Sequence, residues 1–581
     1  MKRFVAVLAS FGLLLSGQSA IAEPFVFDPP YETWNGKNVF QIEETYSFGA
    51  PSAIKLSEVT GPAASKIEDC KELGLAPCLE SLLDSPSPSG PGFPPAGTKS
   101  LEFALTMPAC EVSLSSNWCI EELRIYSADG SAVPARFLRA VEGNTTSAIP
   151  SRGIPAGGTP SLWVGAPGSG FENLEVVAFV RAELKKTFVF GEGQGYRAQE
   201  FSMQVSPYEI NTSKSRTMTF FDSPTTPGLG NHATPMRGCL WQDSLGCGER
   251  ADFPEGVTIG LTIKSNIPIA EFFNGRLTKP DLVVNQSSGI TTLKIDAEPV
   301  VVPEIALMYE ESAGLRAKLK TPNPGWASTK PFYPNAFEAM SVLRGHLGDK
   351  ASGENTSWRL TSVGLSGTNR CYKDKGVAGM VFTNATTYEG DPPKYEAGFL
   401  NYKVAGMHYL SNGKDLFEGT YDLLIKSDVA RCLYGFSSAP LSATVTVIGA
   451  AGAEKVASTQ VSEKAGWLKL SAYGFTFSEK KIQVKLTQPQ SRVLSAFSGR
   501  SSSLTSKQKT EVRAVLQKTP AKAKVTCTGL FSKASDRAIA LQRARATCSY
   551  VRSQNKTVST FAQVKSTKVA SSNGKVTVSS K

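Results

Sequence analysis

Ile290 to Met308 reads ITTLKIDAEPVVVPEIALM. It holds two short runs, Ile290 to Ile295 and Val300 to Met308, rich in β-branched residues and parted by a proline, which is the pattern of strands rather than of a helix. Runs of the same kind recur at Leu174 to Phe190, Phe201 to Val205, Thr217 to Phe221 and Val257 to Ile263, with Pro and Gly clusters between them. Leu101 to Tyr309 therefore predicts hairpins packed as one large β-sandwich or two, with apolar side chains alternating inward. The Pro-rich stretch Thr321 to Pro334 interrupts the pattern, and Ala336 to Leu347, with Phe337, Met340, Leu343 and Leu347 on one side, predicts a short amphipathic helix. Seven further runs lie between Trp358 and Leu486, the size of an immunoglobulin-like sandwich. They begin near Trp358, Gly379, Phe399, Tyr421, Ala443, Trp467 and Ile482.

Composition agrees with many short strands. The 581 residues include 51 Gly and 35 Pro, and only 19% are charged. The net charge of +11 is unevenly spread: the last 92 residues hold 18 Lys and Arg against two acids, Glu511 and Asp536, and residues 23–489 come to −7. A uniformly basic coat is excluded, and a basic terminal module is indicated. The expected organisation is a signal peptide over residues 1–22, a β-rich region over 23–350 and an immunoglobulin-like sandwich over 351–488. A small α+β domain over 489–581 completes a mainly β chain of tandem sandwiches. Within the first region Ser65 to Asp84 predicts a helix, and residues 85–99 (SPSPSGPGFPPAGTK) form a Pro/Gly/Ser-rich loop.

Met1 to Ala22 carries Lys2 and Arg3, an apolar run from Phe4 to Leu15 and the small-x-small triplet Ala20-Ile21-Ala22, which together predict export with cleavage before Glu23. The apolar run is too short to span a bilayer, and no later segment is apolar enough, so the mature chain is expected to have no transmembrane segment. Ten cysteines in an exported chain fall into five neighbouring couples: Cys70 with Cys78, Cys110 with Cys119, Cys239 with Cys247, Cys371 with Cys432 and Cys527 with Cys548. Five disulfides are expected, because short loops close at small entropic cost. A metal site is not, since no CxxC occurs and His232, His346 and His408 are scattered.

The C-terminal module has the richest local signal. Leu504 to Leu516 predicts a helix, Lys524 to Thr528 a strand, and Ser535-Asp536 the start of a second helix running to Val551. Thr557 to Val564 and Gly574 to Val578 predict strands, so that two helices cover one face of a small sheet. The segments Phe497-Ser498-Gly499, Val525-Thr526-Cys527-Thr528-Gly529 and Asp536 … Ile539-Ala540 … Arg543-Ala544 … Tyr550-Val551 resemble a shortened OmpA/MotB-type peptidoglycan-associating domain, over about 85 residues. That resemblance implies that Arg543 holds the diamino acid of a peptidoglycan stem peptide. Ser532 occupies the position of the family's aspartate, which removes the carboxylate partner of the stem-peptide ammonium. The segments Ser427 to Phe436 and Gly466 to Leu470 are similar to uncharacterised secreted proteins of actinobacteria, which implies an envelope setting and no particular activity.

No HExxH, phosphate-binding loop, EF-hand run or GxGxxG is present, and Gly435-Phe436-Ser437-Ser438-Ala439 lacks the final glycine of a nucleophile elbow. Neither catalytic residues nor a cofactor are expected. The leading expectation is a non-enzymatic exported protein held at the cell wall by its basic module, on peptidoglycan or an anionic glycopolymer. Nucleic acid is disfavoured by export and by the few aromatics of the module. Two alternatives differ in class. A surface adhesin or carbohydrate binder would present Trp34, Trp163, Trp241 or Trp326 on one face, and a wall-active hydrolase would pair two carboxylates across a groove.

Overall fold

The computed structural model describes residues 33–34, 37–42, 53–58 and, with short gaps, 99–580; the larger gaps are 186–196, 212–218, 223–230, 310–317 and 320–335. The chain is mainly β, in several antiparallel sheets with few helices. A central sheet runs in the order Ala53–Glu58, Lys99–Thr106, Asn173–Lys185, Arg197–Asn211, Gly353–Val363, Phe272–Arg276, Gly379–Thr383, Glu418–Lys426, Trp467–Thr476 and Ser458–Lys464. Every neighbouring pair is antiparallel except Phe272–Arg276 with Gly379–Thr383.

Two smaller sheets sandwich this one. On one face lies a five-stranded sheet ordered Thr278–Ser287, Ile290–Glu298, Thr258–Ser265, Cys119–Tyr126 and Ala132–Pro134. Its Ile259, Leu261, Ile263, Leu293 and Ile295 share a core with Val176, Met203, Phe273, Trp358 and Phe382 of the central sheet. On the other face a six-stranded sheet, built around Phe399–Ala405, Lys480–Thr487 and Ser442–Gly449, closes a second core on Phe272, Val381, Leu423 and Leu470. Alternation along a strand explains the split: Phe272 and Phe273 point to opposite faces and so enter different cores. Strands such as Gly379–Thr383, buried at every position, show no period of two, because both faces are covered.

Polar joints fix the layers. Trp358 Nε1 donates to the Ala297 carbonyl at 3.1 Å. The buried Asp422 carboxylate accepts from Thr278 Oγ1 at 3.2 Å, Lys279 N at 3.1 Å, Ser471 Oγ at 2.5 Å and Tyr473 Oη at 2.6 Å. Burial pushes its pKa up, opposed first by the bonds from Ser471 and Tyr473.

The division expected near residue 350 does not interrupt this hydrogen bonding. Gly353–Val363 pairs with Arg197–Asn211, Phe272–Arg276 and Val300–Tyr309, so the sheet runs through it. The seven strands expected after Trp358 form, four in the central sheet and three in the six-stranded one. They do not make a separate immunoglobulin-like sandwich, since their first sheet continues into strands from before residue 350. Helix α1, Ala336–His346, lies where the apolar spacing placed it. Helix α2, Ser427–Tyr434, was not anticipated; Cys432 on it bonds to Cys371, so that bridge ties a turn to a helix. The helix expected over 65–84 and the end of the run expected to reach Phe190 lie outside the described residues. So do Cys70 and Cys78, and the disulfide expected between them is therefore not among the bridges described.

The C-terminal module opens with the strand Gln490–Val493, absent from the sequence expectation, and otherwise follows it: α3 (Ser506–Leu516), Lys524–Phe531, α4 (Arg537–Gln554), Ser559–Ser566 and Val576–Ser580. The sheet order is Gln490–Val493, Val576–Ser580, Lys524–Phe531, Ser559–Ser566, with the last pair parallel across α4. A capping box between Thr505 and Gln508 starts α3. Val512 and Val515 of α3 and Ala544, Cys548 and Val551 of α4 close one core over Val525, Cys527, Val576 and Val578. Cys527–Cys548 bonds strand to helix inside it.

Candidate functional site

The module's two acids do little to offset its cations. Glu511 is buried, accepting from Ser495 N at 2.8 Å and Ser495 Oγ at 2.6 Å, with Arg492 at 4.0 Å. Burial pushes its pKa up, but the Ser495 donors with Arg492 and Lys507 outweigh that and hold it below the usual carboxylate range. Asp536 stands at the start of α4, and no acid follows through Gln554. Arg537, Arg545 and Arg552, spaced eight and seven residues apart, form an exposed stripe along one side of that helix. The stripe leads to an open groove of about 650 Å³ lined by Ser549, Arg552, Ser553, Lys556 and Val558. Lys509 and Lys524 lie 5.8 and 5.3 Å from the rings of Tyr550 and Phe561. This surface can hold anions through long, solvated cations, an attraction that salt screens. The stripe is legible in its spacings of eight and seven residues; the inward turn of Glu511 is not.

Arg543 has a different place. It is buried, with Nε donating to Ser501 O at 2.9 Å, Nη1 to Gly574 O at 2.8 Å and Nη2 to Gly499 O, and its guanidinium lies 5.1 Å from the Phe497 ring. Burial draws its pKa down, with Asp536 opposing. Three backbone carbonyls thus take the donors that a stem-peptide carboxylate would need. Ser532 is exposed, and its backbone N donates to Asn573 Oδ1 at 2.8 Å. The structure brings both residues to the turn at Asn573-Gly574, where Arg543 ties loops together.

The other residues singled out in the sequence are dispersed. Cys110–Cys119, Cys371–Cys432 and Cys527–Cys548 are bonded pairs, and Cys247, in the hairpin of Cys239–Asp243 with Gly246–Arg250, is also disulfide-bonded. Of the five expected couples, Cys70 with Cys78 is the one with neither cysteine among the described residues. Such bridges persist in oxidising compartments. Trp163 and Trp241 are buried and present no ring to a glycan, while the side chains of Trp34 and Trp326 lie outside the described residues. Of the carboxylates a hydrolase would need, the adjacent Glu121 and Glu122 pair with cations instead of each other, Glu121 with Lys264 at 2.6 Å and Glu122 with Arg124. His408 Nδ1 lies 3.0 Å from Phe477 O, His346 ends α1, and His232 belongs to the strand Asn231–Thr234. Among the described residues no group of three His, Cys, Asp or Glu could hold a metal ion, and no helix is long and apolar enough to cross a membrane.

No known family, no curated protein and no solved structure matches this chain.

Proposed function

We propose that the chain is an exported, non-enzymatic protein held non-covalently at the cell envelope by its basic C-terminal module, which binds an anionic wall polymer. The observation that carries this is the exposed cationic surface of α4 and its groove, in a helix that holds no acid from Arg537 to Gln554. Charge attraction fits these residues better than the peptidoglycan contact of the OmpA-like resemblance, because Arg543 is committed to Gly499, Ser501 and Gly574. The stacked sheets of the body would then be the part presented outward.

The test is co-sedimentation of the full chain with purified cell wall, intact and stripped of anionic polymers, across a salt series. Salt-sensitive binding that disappears on stripping and weakens in Arg545→Gln/Arg552→Gln is the expected result. Binding to stripped wall that survives high salt would replace it with recognition of peptidoglycan itself.

A further inference from the structure

The outer face of the six-stranded sheet forms a grid of nine side chains on three strands. Its inner positions, Leu400, Tyr402, Val404, Ile482, Val484, Val445 and Val447, fill the second core, so the alternate positions face outward. Register sets Asn401, Gln483 and Thr446 in one row and Lys403, Lys481 and Ile448 in the next. The third row holds Phe399, Lys485 and Thr444, with Lys485 Nζ 5.6 Å from the Phe399 ring. Gln483 Nε2 donates to Asn401 Oδ1 at 2.8 Å, and Asn401 Nδ2 faces the carbonyls of Lys394, Glu396 and Phe399 at 3.3–3.4 Å, so the amides are held in place. Lys403, Lys485 and Thr444 are exposed, Phe399, Lys481, Gln483, Thr446 and Ile448 are half-buried, and Asn401 is buried, so that it supports the face rather than lying on it.

Two features set this face apart from an ordinary solvated one. The body around it carries net negative charge, yet Lys403 and Lys481 stand directly opposite each other, an arrangement of like charges that weakens a strand pair. The acids at the rim, Glu389 beside Lys403 and Glu396 opposite Phe399, lie on one side of the grid, away from Thr444 and Thr446. We infer that this face binds an anionic polysaccharide: the Phe399 ring lies under a sugar, Gln483 and the Thr444 and Thr446 hydroxyls meet its hydroxyls, and Lys481 and Lys485 meet its acidic groups. The site is independent of the attachment proposed for the C-terminal module.

Affinity electrophoresis of the full chain in gels containing polygalacturonate, or the same polymer fully methyl-esterified, tests this. The neutral polymer isolates the sheet face, since the basic module has no charge there to attract it. Both polymers retard the wild-type protein, the acidic one more. Phe399→Ala abolishes retardation by the neutral polymer. Lys481→Gln/Lys485→Gln, added to Arg545→Gln/Arg552→Gln so that the module's own pull on the acidic polymer is weakened, lowers binding of the acidic polymer by about tenfold relative to that background while leaving the neutral one unchanged. Arg545→Gln/Arg552→Gln keeps the neutral interaction. A wild-type protein that ignores the neutral polymer, or sheet variants that bind both polymers as wild type does, overturns the proposal. Unchanged melting curves establish that the surface variants are folded.

Discussion

Phe272 and Phe273 are adjacent in the chain, fully buried, and belong to different hydrophobic cores on opposite faces of one sheet. A ring removed at either position opens a cavity in one layer only. Phe272→Ala and Phe273→Ala should each destabilise the body by about 3–5 kcal/mol. Because both sit on one central strand, each variant should still unfold the two cores in a single transition, read by urea denaturation followed by fluorescence and circular dichroism together. Separate transitions for the two probes would show that the layers fold independently.

Glu175 is buried, faced across the sheet by Ser206, and burial pushes its carboxyl up to about 7, with Arg250 opposing. Its folded pKa therefore exceeds the ordinary value of 4.5, so the folded state holds the extra proton between the two. Stability from this group is complete below the unfolded pKa and is lost as pH rises through about 7, by about 3 kcal/mol in all. Glu175→Gln should flatten that slope and stabilise the protein at about pH 8, measured by denaturant midpoints from about pH 4 upward.

Arg543→Lys replaces a fork that reaches Gly499, Ser501 and Gly574 with a single ammonium. At least one of these carbonyls, on residues that are exposed or half-buried, exchanges its charged donor for water, at about 1 kcal/mol. The module should melt earlier, while the folded variant at low temperature co-sediments with wall as wild type does. A selective loss of wall binding without loss of stability would return Arg543 to ligand recognition.

Cys527→Ala/Cys548→Ala removes a bridge across 21 residues that pins α4 to the sheet. The loss should be about 3 kcal/mol, seen as a melting temperature of the module below that of the oxidised wild type. Treatment of the wild type with reductant under mild denaturation should lower its stability to that of the variant.

Local pattern carried much of the architecture. β-Branched runs bounded by Gly and Pro marked most strands, and apolar spacing marked α1, α3 and α4, because these signals depend on neighbours a few residues away. Cys110–Cys119 and Cys527–Cys548 pair across 9 and 21 residues as their spacing suggests, and Cys371–Cys432 pairs as expected although 61 residues separate its cysteines. Strands such as Phe272–Arg276 and Cys119–Tyr126 carry no such signal: the first is buried on both faces and has no alternation, and the second holds Glu121 and Glu122 side by side.

A mainly β chain ending in a basic α+β module follows from residue order, since alternation, turn residues and charge are written along the chain. The stacking of three sheets across residue 350, the tying of loops by Arg543 and the shared surface of Phe399, Gln483 and Lys485 emerge only in the folded molecule. Each of these depends on which distant strand lies alongside, and cross-strand pairing leaves no mark on the order of residues within either strand.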